Sequence, residues 1–148
     1  MTKRLPKTAF LLLFLAISTS AHAGDDMELI QHMGTMQYMA HKAGLAIDSR
    51  NQPLASFYMH EIEEVIEKLK TVESYDGYPI ASLVQSKLMP SFEKLEQAVT
   101  AVDWEDADSQ FEKLLASCNT CHQATEHSFI RVRRTTANPF MQSFDPQR

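Results

Sequence analysis

Read at the helical period of 100° per residue, the chain from Asp25 onward separates into four amphipathic stretches. In residues 25–48, Leu29, Met33, Met36, Ala40, Ala43 and Ile47 fall on one stripe. Ser49-Arg50-Asn51-Gln52-Pro53 interrupts the pattern. Over residues 54–73, Leu54, Tyr58, Ile62, Val65, Leu69 and Val72 line up. Ser74-Tyr75-Asp76-Gly77-Tyr78 is turn chemistry, and Pro79 suits the first position of a new helix. In residues 80–102, Ile80, Val84, Leu88, Leu95, Ala98 and Val102 share a face, and Pro90 on the polar side predicts a kink. Asp103 is a good N-cap for a fourth helix, whose first turn carries Glu105 and Asp106, with Asp108 close behind. The fourth stripe is Trp104, Ala107, Phe111, Leu115, Cys118 and His122. Apolar and polar residues alternate with period two only in residues 129–133, so no sheet is expected. Similar lengths and short connections predict an all-α fold. The expected architecture is an antiparallel up-down-up-down four-helix bundle over residues 24–127, with an irregular C-terminal tail, residues 128–148, packing on it.

The residues before this pattern read as an address. Lys3, Arg4 and Lys7 precede an apolar run in residues 10–17, and Ala21-His22-Ala23 has the small-x-small form of a cleavage site. Residues 1–23 are expected to be a secretory signal peptide, with an uncleaved anchor as the alternative. The apolar run is short of the ~20 residues a spanning helix needs. The whole chain of 148 residues has 14 basic and 19 acidic side chains and a formal charge of −5. Cleavage removes three cations and no acid, so the mature charge is −8. An acidic chain lacks the basic footprint of a nucleic-acid binder. The mature protein is expected to be soluble, periplasmic and without a membrane span.

Two cysteines are too few for a disulfide framework, and their spacing carries the chemistry. Cys118-Asn119-Thr120-Cys121-His122 is the attachment signature for c-type haem. Thiols three residues apart lie on neighbouring turns of one helix face, where both can form thioethers to one porphyrin. The adjacent imidazole is then placed to bind the iron. A thioredoxin-like dithiol would want a βαβ setting, and a structural zinc site would want four ligands. A disulfide at this spacing closes a very short loop and stabilises little. One covalent haem c per chain is therefore expected, attached by Cys118 and Cys121 with His122 as proximal ligand.

With its single motif late in the last of four helices, the exported chain resembles the cytochrome c′-type bundle cytochromes over about residues 25–126. The resemblance implies a periplasmic haem protein that either carries electrons or binds small gases at an open iron. The sequence departs from that family in two places. A further 26 residues follow His122, and Gln123-Ala124-Thr125-Glu126 offers an acid where such bundles tend to carry a cation.

The sixth iron position decides between the two functions. The motif lies about 25 Å along the fourth helix at 1.5 Å per residue, level in an antiparallel bundle with His32 and Met33. Met36 is one turn deeper. Met33, Met36 and His32 are thus the sixth-ligand candidates, against an open position or ordinary core packing. Met141 in the tail is an outside possibility. The methionine-rich first helix and the altered motif flank favour a one-electron carrier. The alternative is a five-coordinate module binding NO or CO. A haem enzyme would want a distal acid–base group, and only His32 offers one.

Arg131, Arg133 and Arg134 form the dense basic cluster of the tail, as candidate contacts for haem propionates or as a solvated charge run. His127 reads as a helix-end group. His41, His60 and Glu64 could bind a divalent metal or simply lie on a solvated acidic face. Gly34, Tyr38, His41 and Leu45, with Phe57 and His60 opposite, form a second stripe suited to a homodimer through the first two helices. The redox partner and the potential are not written in the sequence.

Overall fold

The computed structural model describes residues 22–147, so the expected leader lies outside the described residues apart from His22 and Ala23. Helix α1 is His22–Asp48 and α2 is Gln52–Leu69. Helix α3 begins as Ile80–Leu83, widens into a π-helical stretch, Val84–Leu88, and ends as Met89–Thr100. Helix α4 is Trp104–Ala124. The four helices bury one apolar core, and no strand forms among the described residues. None of the described helices is long and apolar enough to cross a membrane.

The helix boundaries follow local chemistry. Asn51 Oδ1 accepts from the Leu54 amide at 3.3 Å, and Pro53 fills the first turn of α2, where its missing N–H costs nothing. Asp103 caps α4 by accepting from the Asp106 amide at 3.1 Å, as its position predicts. Asp76 and Gly77 both have positive φ, 48° and 81°, and close a tight turn in which Tyr75 and Tyr78 exchange backbone hydrogen bonds. Pro90 bends α3 in a particular way. Its ring collides with the carbonyl four residues back, and the turns just upstream relax to the wider π spacing.

Most of the stripes are buried as the periodicity requires: Leu29, Met36, Ala40, Ala43 and Ile47 on α1, and Ile62, Val65 and Leu69 on α2. Phe92, Leu95, Val99, Phe111 and Leu114 complete the centre. Gly44 is needed where α1 approaches α4, because a Cβ there would stand 2.8 Å from the Phe111 ring.

Val102 departs from its expected place on the buried face of the third helix. It lies beyond the end of α3 at φ 57° and is 49% exposed. Its amide bonds to Val99 O at 3.1 Å and that of Asp103 to Ala98 O at 3.0 Å, a Schellman ending with a β-branched residue in the left-handed position. Val102→Gly is therefore expected to stabilise the fold by about 1 kcal/mol, net of the entropy a glycine adds to the unfolded chain. An unchanged or lower urea midpoint would contradict this strain.

Residues after α4 take no regular structure but are fastened to the helices at many points. His41 Nε2 meets Ala137 O at 2.9 Å, and Asn51 Nδ2 donates to Phe144 O at 2.9 Å. Gln142 Oε1 accepts from both the Tyr58 hydroxyl, at 2.7 Å, and Lys42 Nζ, at 3.0 Å. Phe144 is buried, and Phe140 packs edge-on against Tyr38 and His41. Part of the stripe expected to meet a second copy is thus covered within the chain. Leu45 is buried, His41 is engaged, and Gly34, Tyr38, Phe57 and His60 stay exposed.

Candidate functional site

The motif occupies the last two turns of α4, where the cap at Asp103 and the buried Ala107, Phe111, Leu114 and Leu115 set the helix phase. Cys118 packs against the core, and Cys121 sits one turn on, its Sγ directed to Leu83 O at 3.9 Å. Leu83 is the residue just before the π stretch of α3, so the irregular part of α3 stands opposite the motif. Both thiols are free and partly buried. Burial and the neighbouring Cys121 push the Cys118 thiol up to about 12, from an ordinary value of 9. Burial also raises Cys121, with Lys87 acting weakly against it.

Raised thiols are the reverse of what a redox dithiol needs, since the thiolate is the nucleophile. In the haem-free chain at pH 8, Cys118 is expected to alkylate at least about a hundredfold more slowly in native buffer than in denaturant. Because a raised pKa favours the neutral thiol in the folded state, its contribution to stability is full below pH 9 and declines as the pH rises toward 12. Equal native and denatured alkylation rates would show that Cys118 is not held inside.

His122 is half-buried, and its environment fixes its chemistry. Nδ1 lies 2.9 Å from Ile130 O. A carbonyl only accepts, so Nδ1 carries the proton and Nε2 of the neutral ring keeps its lone pair for a metal. The carbonyl reaches this place because α4 ends in a left-handed turn. Glu126 has φ 62°, and the His127 amide bonds back to His122 O at 2.7 Å. The chain then returns across the helix, where Asn119 binds Val132 twice, Nδ2 to Val132 O at 2.9 Å and Val132 N to Oδ1 at 2.8 Å. His127 is the helix-end group expected of it, with Nδ1 at 2.6 Å from Thr125 O.

This donor set fits a covalent haem: two neutral thiols on adjacent turns and an imidazole with Nδ1 satisfied and Nε2 available. It does not fit a closed zinc site, since no three His, Cys, Asp or Glu side chains gather among the described residues. The same observation separates His41, His60 and Glu64. His41 is held by the tail, and His60 is exposed with Glu63 at 3.9 Å.

The sixth-ligand candidates differ in exposure. Met36 is buried, Met33 is half-buried against the core, and His32 turns its Nε2 toward Glu28 at 3.3 Å on the helix surface. Met141 is fully exposed. Of the three tail arginines, Arg134 is committed to carboxylates. It pairs with Asp48, with Asp108 at 2.8 Å and with Glu112 at 3.5 Å, and stacks 5.2 Å from the Phe111 ring centre. Although partial burial works against it, hydrogen bonding from Arg134 and Arg50 holds the Asp108 carboxyl below its ordinary value. Arg131 and Arg133 are exposed beside a cleft of about 300 Å³ whose floor is Ala40, Gly44, Phe111 and Leu115.

Sequence reasoning missed Asn119, Ile130 and Val132. The motif assigns no role to the residues between its cysteines, and a backbone carbonyl leaves no trace in a side-chain pattern. Set against known protein families, curated proteins and solved structures, the chain matches none.

Proposed function

We propose that this chain is an exported monohaem c-type cytochrome that carries single electrons in the periplasm. The observation that carries the proposal is the His122 imidazole, beside two free thiols on one helix, with Nδ1 satisfied by Ile130 O. Cys118 and Cys121 hold the porphyrin by thioethers and His122 Nε2 binds the iron. When bound, the haem supplies a one-electron iron couple, and the protein tunes it through ligation, hydrogen bonding and burial. The buried face of α4 keeps the thioether side away from water. The acidic surface steers the protein to basic patches on its redox partners, with rates that fall as salt rises.

The fold reading that goes with this function is the antiparallel up-down-up-down bundle, and two contacts with α4, one from within α1 and one from just past its end, support it. Arg50 donates to Trp104 O at 3.0 Å, whereas Gly44, nearer the start of α1, faces Phe111, further along α4. Eleven residues back from Gly44 is Met33, and eleven on from Phe111 is His122. At equal rise per residue the two are level, with Met36 level with Asn119. This register favours Met33 as the sixth ligand, with Met36 and His32 as its rivals. Arg131 and Arg133 are the tail cations left for the propionates. A homodimer through α1 and α2 would use what the tail leaves exposed of the second stripe.

The test is the absorption spectrum of the exported protein, oxidised, reduced, and reduced under CO. A low-spin spectrum indifferent to CO is expected, and replacing Met33, Met36 and His32 singly then identifies the ligand. A high-spin spectrum that shifts with CO would replace electron transfer by the gas-binding alternative. The absence of haem in protein made with the maturation machinery present would remove both.

A further inference from the structure

The segment that supplies the carbonyl to His122 is held at its far end by Val132, which packs against the core, and by the ion pairs of Arg134 just beyond it; nearer His122 its hold on α4 is by hydrogen bonds. Phe129 is 78% exposed and Ile130 47% exposed, so neither side chain is fixed by the core. Among the described residues, residues 128–133 are joined to α4 by three hydrogen bonds. One is His122 Nδ1 to Ile130 O, and the other two are the paired bonds between Asn119 and Val132. A fourth bond, Ile130 N to His127 O at 2.9 Å, only shapes the turn itself.

The spacings match on both sides. Asn119 and His122 are three apart, on one face of the helix. Ile130 and Val132 are two apart, on a non-helical segment that runs alongside it. The Asn119 carboxamide spends one N–H and its oxygen on a single residue's backbone, so Val132 is fixed in position and in direction. Two residues earlier, the Ile130 carbonyl is thereby presented to the imidazole. The bond at Nδ1 selects the tautomer, and the two-point clamp beside it keeps the carbonyl in place for that bond.

We propose that Asn119 is a positioning residue for the iron ligand. By clamping Val132 it holds the Ile130 carbonyl on His122 Nδ1 and so sets the donor strength of the imidazole. This inference rests on the haem reading above. A maintained hydrogen bond at Nδ1 makes the imidazole a stronger donor, which favours the ferric iron and lowers the midpoint potential. The role belongs to the side chain of Asn119 and not to the motif, whose intervening positions are otherwise unassigned.

The experiment compares wild-type holoprotein with Asn119→Ala and Asn119→Leu. The leucine variant keeps the branched shape and favours the helix more than asparagine does, while removing both bonds. Haem content and axial ligation are read first, from mass and spectrum. The proposal is then read from the exchange rate of the His122 ring N–H by nuclear magnetic resonance and from the midpoint potential. Both variants are expected to keep covalent haem and the His122 ligand. Ring N–H exchange should be about tenfold faster, as expected for losing two hydrogen bonds of roughly 1 kcal/mol or less each. The potential should move upward.

Haem-loaded leucine variant with wild-type exchange and wild-type potential would overturn the proposal, whatever the alanine variant does. If wild-type protein carries no haem, the functional reading fails by itself. The positioning of His122 is then decided by ring N–H exchange alone, on the same three chains, where equal rates overturn it and faster exchange in the variants supports it.

Discussion

If the proposed function holds, replacing Cys118 and Cys121 together by alanine is expected to leave a chain with no haem retained after denaturation and with a broadened unfolding transition. Two separate pieces of physics lie behind this. On the proposed reading the thioethers would be the only covalent hold on the cofactor, so their loss would abolish retention outright. The broadening comes from packing. On the proposed reading the haem fills the space between the helices at the His122 end, and protein interiors tolerate lost volume poorly. The opposite part of the core, around Leu95, Val99 and Ala107, is fully buried by protein alone and should keep its helices. Heat unfolding followed by circular dichroism, on the variant and on loaded wild type, measures the difference. A variant that unfolds as sharply as wild type would mean that the haem lies outside the core.

Phe144→Ala is expected to cost about 3–4 kcal/mol, a large effect for a residue so near the end of the chain. The ring is 5% exposed and lies against Tyr58 and Phe140, with centroids 6.3 and 6.4 Å away. The backbone carbonyl of the same residue takes the Asn51 side chain, which also caps α2 through its oxygen. Losing the ring therefore loosens the end of the tail together with the start of a helix. The denaturant midpoint should fall, and the tail should become open to proteolysis near residues 136–139. If the stability changes by less than about 1 kcal/mol, Phe144 is not an anchor and the tail is held mainly by its polar contacts.

The helices were legible because their causes are local. The spacing of Leu54, Tyr58, Ile62, Val65 and Leu69 needs only the helical period to predict a buried face, and the cap at Asp103 needs only the amides next to it. Where a third influence acted, the local reading slipped. Val102 continues the apolar spacing of α3, yet the helix stops before it, because the turn into α4 requires a left-handed residue there. Pro90 announces a bend without saying how it is accommodated, and the answer is a π stretch placed opposite the motif.

The candidate site divides in the same way. Cys118, Cys121 and His122 announce themselves by spacing alone, the arrangement on one helix that attachment of one porphyrin would require. The fastening of the tail was not legible. Arg134 reads as a loose cation in a basic run, and only the fold brings it to Asp48 and Asp108 from two different helices. Asn119 reads as a spacer between cysteines. Its role depends on a chain reversal at Glu126 that returns Val132 to the same helix face.

What the sequence determined by itself is therefore the set of helices, their buried faces and the spacing of Cys118, Cys121 and His122 on which the haem proposal rests, because each depends on residues within a turn or two of one another. The tertiary structure alone decided which polar groups meet across the chain: the carbonyl on His122 Nδ1, the clamp at Asn119, the tail laid over α1 and α2. Such pairings join residues up to about a hundred positions apart, and hydrogen bonds demand both partners at a fixed distance. No periodicity along the chain encodes that coincidence; it arises when the packed helices present their surfaces to the returning tail.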